Sequence, residues 1–182
     1  INYKRLFGLI DDEFEEMDNF LYRVKINGEY GLELICRWFI EPIYDELGYE
    51  FDLEGYCRAK MDSKYGFIGR NGTWLIEPVY DYLEIFDSKG FCYTEIDEKY
   101  GFIGRNGEWL IEPIYDDLEC FDSKGFSKAK INGKYGYLGR YGQWKIRPEY
   151  DDIEDFDTIT GLTRARIANK YGMVGRHGGW LI

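Results

Sequence analysis

The stretch Lys99-Tyr-Gly-Phe-Ile-Gly-Arg-Asn-Gly-Glu-Trp-Leu-Ile-Glu-Pro-Ile-Tyr-Asp116 recurs almost letter for letter as Lys64 to Asp81, and more loosely as Lys134 to Asp151. Its opening pair stands at Tyr30-Gly31, Tyr65-Gly66, Tyr100-Gly101, Tyr135-Gly136 and Tyr171-Gly172, a spacing of 35, 35, 35 and 36 residues. A fixed period of this length marks an array in which each unit needs its neighbours to bury its faces. The units run roughly over residues 1–43, 44–79, 80–114, 115–149 and 150–182 of a single array. Residues 1–29 read as a degraded copy, and the text opens at Ile1 and stops at Ile182 in mid-repeat, as expected of a piece of a longer chain.

Composition follows the repeat. Aromatics make up 19% of the chain, with 17 Tyr, which favours strands. All five Trp (Trp38, Trp74, Trp109, Trp144, Trp180) fall in one column and all four Pro (Pro42, Pro78, Pro113, Pro148) in another. The unit from residue 115 divides into four strand candidates: Asp116–Phe121, Phe126–Ile131, Tyr135–Arg140 and Trp144–Ile146, the last ended by Pro148. Asn132-Gly133 is a strong hairpin signal between the second and third. A two-residue loop at Asn71-Gly72 would pair Gly69 with Trp74, Ile68 with Leu75 and Phe67 with Ile76. Trp74 would then lie over Gly69, most of the Trp column would be buried, and both faces of each sheet would be apolar. Such sheets must be sandwiched between their neighbours. The fold expected is therefore all-β, a stack of antiparallel units forming either a β-propeller-like or an open β-superhelical array.

These residues resemble the WG (or KWG) β-repeats of bacterial proteins, from an aromatic-Gly pair through a Gly turn and Ile-x-Pro-x-Tyr-Asp to a Phe/Gly strand. The likeness covers residues 10 to 182. Two departures stand out: Tyr-Gly replaces the family's Trp-Gly, and a Gly replaces the Asp common after the Tyr-Ile strand. The resemblance implies a bacterial repeat scaffold, often joined to other modules, and no particular reaction.

Net charge is −11, which argues against nucleic acid because phosphate binding needs a basic surface. The charge is uneven, with residues 1–122 strongly acidic and residues 123–182 net basic. An acidic start, from Asp11 and Asp12 to Asp18, and a basic end with Lys145, Arg147, Arg164 and Arg166 would suit ring closure or head-to-tail association. Cys36, Cys57, Cys92 and Cys120 show no C-x-x-C spacing. Cys57 and Cys92 are one period apart, so a metal or disulfide ladder competes with buried free thiols in a reducing compartment, the favoured reading. No signal peptide or membrane span is present, and a bacterial cytoplasmic location is expected.

Catalysis is poorly supplied. Asp45, Asp81, Asp116 and Asp151 recur after Tyr, and Glu41, Glu77 and Glu112 before Pro. A glycosidase needs one carboxyl pair in unlike environments, whereas these recur in every unit, so turn capping explains the Asp column better. His177 is the only His and stands in a turn, and no metal, cofactor or phosphate-loop pattern occurs. Arg70, Arg105, Arg140 and Arg176 form a column of expected exposed cations, able to read an acidic peptide or carboxylated glycan but better read as edge protection. The expected function is a non-enzymatic scaffold or recognition domain for a protein, a peptide or other domains of its own chain, such as the sensor part of a larger protein. The binding candidates are the Arg column with Arg164 and Arg166. A lectin-like glycan binder ranks second and a glycoside-processing enzyme third.

Overall fold

A computed structural model describes residues 14–18, 21–34 and 37–181. The start of the degraded unit, with Asp11 and Asp12, and Cys36 lie outside the described residues. The fold is all-β, with five small antiparallel sheets in tandem and no helix among the described residues. The chain divides into two compact units, Ile1–Ile85 and Phe86–Ile182.

The first unit holds β1 (Phe14–Asp18), β2 (Leu21–Ile26), β3 (Glu29–Leu34) and β4 (Arg37–Tyr44), paired in chain order. A second sheet follows from β5 (Glu46–Leu47), β6 (Cys57–Met61), β7 (Lys64–Ile68) and β8 (Trp74–Tyr80), and β9 (Tyr82–Leu83) opens the next repeat. The second unit begins with β10 (Cys92–Ile96), β11 (Lys99–Ile103) and β12 (Trp109–Tyr115). Next come β13 (Asp117–Leu118), β14 (Phe126–Ile131), β15 (Lys134–Gly139) and β16 (Trp144–Tyr150), then β17 (Asp152–Ile153), β18 (Leu162–Ile167) and β19 (Lys170–Gly175).

The middle hairpin of each repeat has a two-residue loop. Ile131 pairs with Lys134 across Asn132 and Gly133, whose φ values of 51° and 76° suit a type I′ turn. The same turn forms at Asp62-Ser63, Asp97-Glu98 and Ala168-Asn169, where non-glycine residues take positive φ. Two expectations are corrected. The next turn is a three-residue loop: Gly69 N–H donates to Thr73 O, Gly72 N–H donates to Gly69 O, and Gly72 has φ 76°. This shifts the register, so Phe67 still faces Ile76 but Ile68 faces Trp74. Leu75, not Trp74, therefore lies over Gly69, with its Cγ 3.4 Å from where a Cβ would stand. Trp74, Trp109 and Trp144 are half-buried and Trp180 is exposed, rather than buried as a column. Secondly, Pro78, Pro113 and Pro148 sit inside β8, β12 and β16 rather than ending them. These are the last strands of their sheets, where a missing N–H costs no ladder bond.

The proline also explains the Tyr-Gly pair. Tyr65 faces Tyr80 while Phe67 faces Ile76, so Glu77 and Pro78 are part of a bulge. The bulge pushes the last strand's backbone against the glycine. A Cβ on Gly66 would stand 2.5 Å from Ile76 O, and one on Gly136 would stand 2.5 Å from Ile146 O.

The cores lie between consecutive sheets, as two apolar faces require. Ile40 and Tyr44 of the first sheet pack with Leu47, Cys57, Ala59 and Ile68 of the second. In the second unit Phe102, Ile111 and Tyr115 pack with Leu118, Ala129 and Leu138, and Tyr137, Ile146 and Tyr150 pack with Ile153, Ala165 and Val174. Burying each such Ile or Leu stabilises by about 1.5–3 kcal/mol, so most of each repeat's stability resides in its joints. The outermost strands alternate instead, leaving Leu75, Val79, Leu110 and Ile114 about half exposed.

Candidate functional site

The recurring Asp116 and Asp151, and the recurring Arg140 and Arg176, are engaged in the joints between repeats. Two of the Tyr-Asp corners work in both directions. Asp116 Oδ1 takes the ammonium of Lys99 at 2.5 Å from the preceding repeat, while its Oδ2 accepts Gly133 N–H at 3.4 Å from the following hairpin. Asp151 does the same with Lys134 and with Ala168 N–H at 2.8 Å. These contacts hold both carboxyls below the usual carboxylate range, the lysine hydrogen bond contributing most and the backbone N–H next. The Asp column thus caps turns, though the turn capped lies about a half-repeat downstream. The corner tyrosines stack forward as well: Tyr44 meets Trp74 edge-on at 5.5 Å and donates to Gly72 O at 2.9 Å, and Tyr115 meets Trp144 at 5.8 Å.

Cys57 and Cys92 are buried free thiols, and Cys120 is exposed. Cys57 Sγ donates to Gly48 O at 3.6 Å, and burial pushes its thiol up to about 11. One and two repeats beyond Cys92 the same position is Ser127, donating to Glu119 O at 2.5 Å, and Thr163, donating to Glu154 O. This is a column of small buried donors that satisfy a carbonyl of the short first strand, and the cysteines serve in it as serine does. Among the described residues no cluster of three or more His, Cys, Asp or Glu is placed to hold a metal ion.

The Arg column meets the expectation of exposed cations at Arg70, whereas Arg105, Arg140 and Arg176 are partly buried. Arg70 lies with its guanidinium 5.3 Å from the Phe51 ring centroid and Arg105 4.5 Å from that of Phe86. Arg140 covers Phe121 of its own repeat at 4.8 Å and Phe91 of the previous one at 5.5 Å, and Arg176 covers Phe156 at 4.5 Å and Phe126 at 5.3 Å. The rings beneath touch, Phe91 with Phe121 at 5.5 Å and Phe126 with Phe156 at 5.7 Å. Each of these two arginines therefore staples aromatic residues of consecutive repeats. Their Nη1 atoms lie 3.8 Å from Asp87 Oδ2 and 3.5 Å from Asp122 Oδ2, also in the previous repeat, and their side chains are only 20% and 17% exposed. Asp87 and Asp122 meanwhile cap their own turns with Oδ1. The glycine that ends each such turn has φ near 80° and forms the floor under the arginine: a Cβ on Gly125 would stand 3.0 Å from Arg140 Nε.

Where the repeats stop matching, a groove of about 410 Å³ opens in the second unit. Lys124 comes from the β13–β14 turn, Arg140, Tyr141 and Lys145 from the β15–β16 turn and the strand after it, and Arg176 and His177 from the turn after β19. No carboxylate lines it. Tyr141 and His177 replace the Asn71 and Asn106 of earlier units, and Lys145 replaces Leu75 and Leu110. Lys145 lies across Gly139 as Leu75 lies across Gly69, so the turn that held an apolar residue now positions an ammonium at the groove. Tyr141 is 87% exposed. Of the predicted binding residues, Arg140 and Arg176 meet here. Arg164 and Arg166 do not: both stand on β18, Arg164 over Tyr171 at 4.3 Å and 3.5 Å from Glu154, and Arg166 opposite Tyr171. Lys124 and Tyr141 were missed, although Tyr141 was legible as a break in the repeat.

The fold and its joints define a tandem β-repeat protein. The family described as WG containing repeat matches residues 37–65, 65–100, 100–135 and 135–171, and the chain belongs to it. No curated protein matches the chain. Similar solved structures include Hsv2 of Kluyveromyces lactis, at 8% identity and TM-score 0.43, covering 94% of this chain and 63% of that one. A eukaryotic initiation factor matches at 8% and 0.46, with 95% and 55% covered. Hsv2 of Kluyvelomyces marxianus matches at 10% and 0.38, with 93% and 62% covered. The chain spans less than two thirds of the length of each.

Proposed function

We propose that this repeat domain is a non-catalytic recognition module that binds a protein or peptide partner at the groove between Lys124, Tyr141, Lys145 and His177. One observation carries the reading. Asp116, Asp151, Arg140 and Arg176 of the recurring columns are engaged in joints, whereas Tyr141, Lys145 and His177 break the repeat and line a single groove. A surface that an array can vary without disturbing its packing is where a repeat protein acquires specificity. The lectin-like reading has less support, because Trp74 and Trp144 each pack against a tyrosine. Membership in a family often fused to other modules fits a sensor or scaffold role within a larger protein.

The test uses a variant built from the chain's own text. Tyr141→Asn, Gln143→Glu and Lys145→Leu together restore the wording of Asn106 to Leu110 and so preserve the turn. Peptides selected from a random display library on the native domain are expected to lose at least tenfold in affinity on this variant. Selected peptides that bind both proteins equally would overturn the proposal.

A further inference from the structure

Resting on that recognition reading, we infer that the groove takes an acidic peptide segment, with carboxylates meeting Lys124 and Lys145 beside the stapled arginines. The local charge differs from that of the whole chain. Four permanent cations, Lys124, Arg140, Lys145 and Arg176, line the groove, while net charge is −11. Asp87 and Asp122 offset the two arginines from below. Lys124 and Lys145 have no ion-pair partner among the described residues, so about two positive charges remain uncompensated at the surface. At physiological salt the screening length is about 8 Å. The acidic remainder of the chain is therefore largely screened from a ligand in the groove, and the nearest charges decide what is held.

The arginines contribute rigidity. Each guanidinium is fixed by two phenyl rings, and its contact with aspartate is long, at 3.8 and 3.5 Å. Arg140 Nη1 and Arg176 Nε and Nη1 are buried with no hydrogen-bond partner among the described residues. A fixed planar cation loses little side-chain entropy when it attracts a carboxylate. Tyr141, standing free at the lip, adds an aromatic face for an apolar neighbour of the acid. A shallow groove of about 410 Å³ fits an extended run of a few residues, and a bare anion would leave most of it empty. A nucleic-acid backbone is disfavoured, because its long run of phosphates would extend beyond the four cations onto a chain whose net charge is −11.

Fluorescence anisotropy with a labelled twelve-residue peptide of alternating Glu, Gly and Tyr provides the test. The acidic peptide is expected to bind, and its Gln counterpart to bind at least tenfold more weakly. Lys145→Leu should weaken binding severalfold, and raising salt from 50 to 200 mM should weaken it further. Equal binding of the Glu and Gln peptides overturns the inference, as does competition by inorganic phosphate at concentrations matching the peptide. So does self-association at low salt that the triple variant abolishes, which would make a second copy the occupant. If library-selected peptides lack acids yet lose affinity on the triple variant, the recognition reading stands and the acidic chemistry falls. If nothing is lost on that variant, both fall.

Discussion

The Tyr-Gly pair sets the closest backbone approach in each repeat, and Gly136→Ala tests that claim most directly. The added methyl would stand 2.5 Å from Ile146 O and 2.9 Å from both Arg147 C and Pro148 N. Real carbon–oxygen contacts need about 3.2 Å or more, and every atom met belongs to the backbone, so no rotamer change relieves the overlap. The bulge in β16 must move away from β15, loosening the pairing of Tyr135 with Tyr150. Overpacking of this kind costs about 1–3 kcal/mol, and the rigidity of the obstacle places this case near the top of that range. The entropy removed from the unfolded chain by Gly→Ala returns about 0.4–1 kcal/mol, leaving a net loss of roughly 2 kcal/mol. For a chain of this size that lowers the thermal midpoint by about 4–8 °C. Circular dichroism melts of Gly136→Ala and of Gly179→Ala, whose Cβ would meet nothing within 4 Å, supply test and control. A Gly136→Ala midpoint within about 1 °C of the parent, or an equal loss in the control, would refute the close-approach argument.

Three further outcomes are expected. Folding lowers the pKa of Asp116, Asp151 and Asp157, so in acid the folded chain binds fewer protons than the unfolded one. Their stabilisation is complete above the ordinary Asp value of about 3.9 and is lost as pH falls through the depressed folded values. Melting midpoints should therefore be level near neutrality and drop in the acid range, less steeply in Asp151→Asn. A thiol reagent at neutral pH should label Cys120 promptly and Cys57 only on unfolding, and Cys57→Ser should cost less than about 1.5 kcal/mol in denaturant melts, the cost of one small buried change. Replacing Asp97-Glu98, both at positive φ, with Asn-Gly should raise stability by about 1 kcal/mol in the same assay, because glycine adopts that region without strain.

The repeat and the β class were legible in the text because a 35-residue period constrains every copy at once. The two apolar faces of Lys99 to Asp116 correctly demanded neighbours on both sides, and copying in every unit correctly argued that the Asp column is structural. The reading went astray at two places, each for its own reason. Asn71-Gly72 looks like a two-residue hairpin, but a third residue enters the loop, and that single slip exchanges Trp74 for Leu75 over the glycine. Pro78 reads as a strand end, whereas an edge position removes the penalty that would make it one.

The Arg column marks the division between chain and fold most clearly. Its spacing told where the arginines recur, but whether a flexible cation points to water or lies over a ring depends on contacts made between repeats. Phe91 and Phe121 are 30 residues apart in sequence and meet only because successive sheets stack. The groove is likewise a tertiary object: Lys124, Tyr141 and His177 come from three turns that no local pattern joins. Sequence determined the unit, its strands and the positions where units differ, since these follow from short-range periodicity and steric limits on the backbone. Tertiary structure alone decided which of those differences face one another, because burial and much of the pairing of charges depend on packing between consecutive repeats.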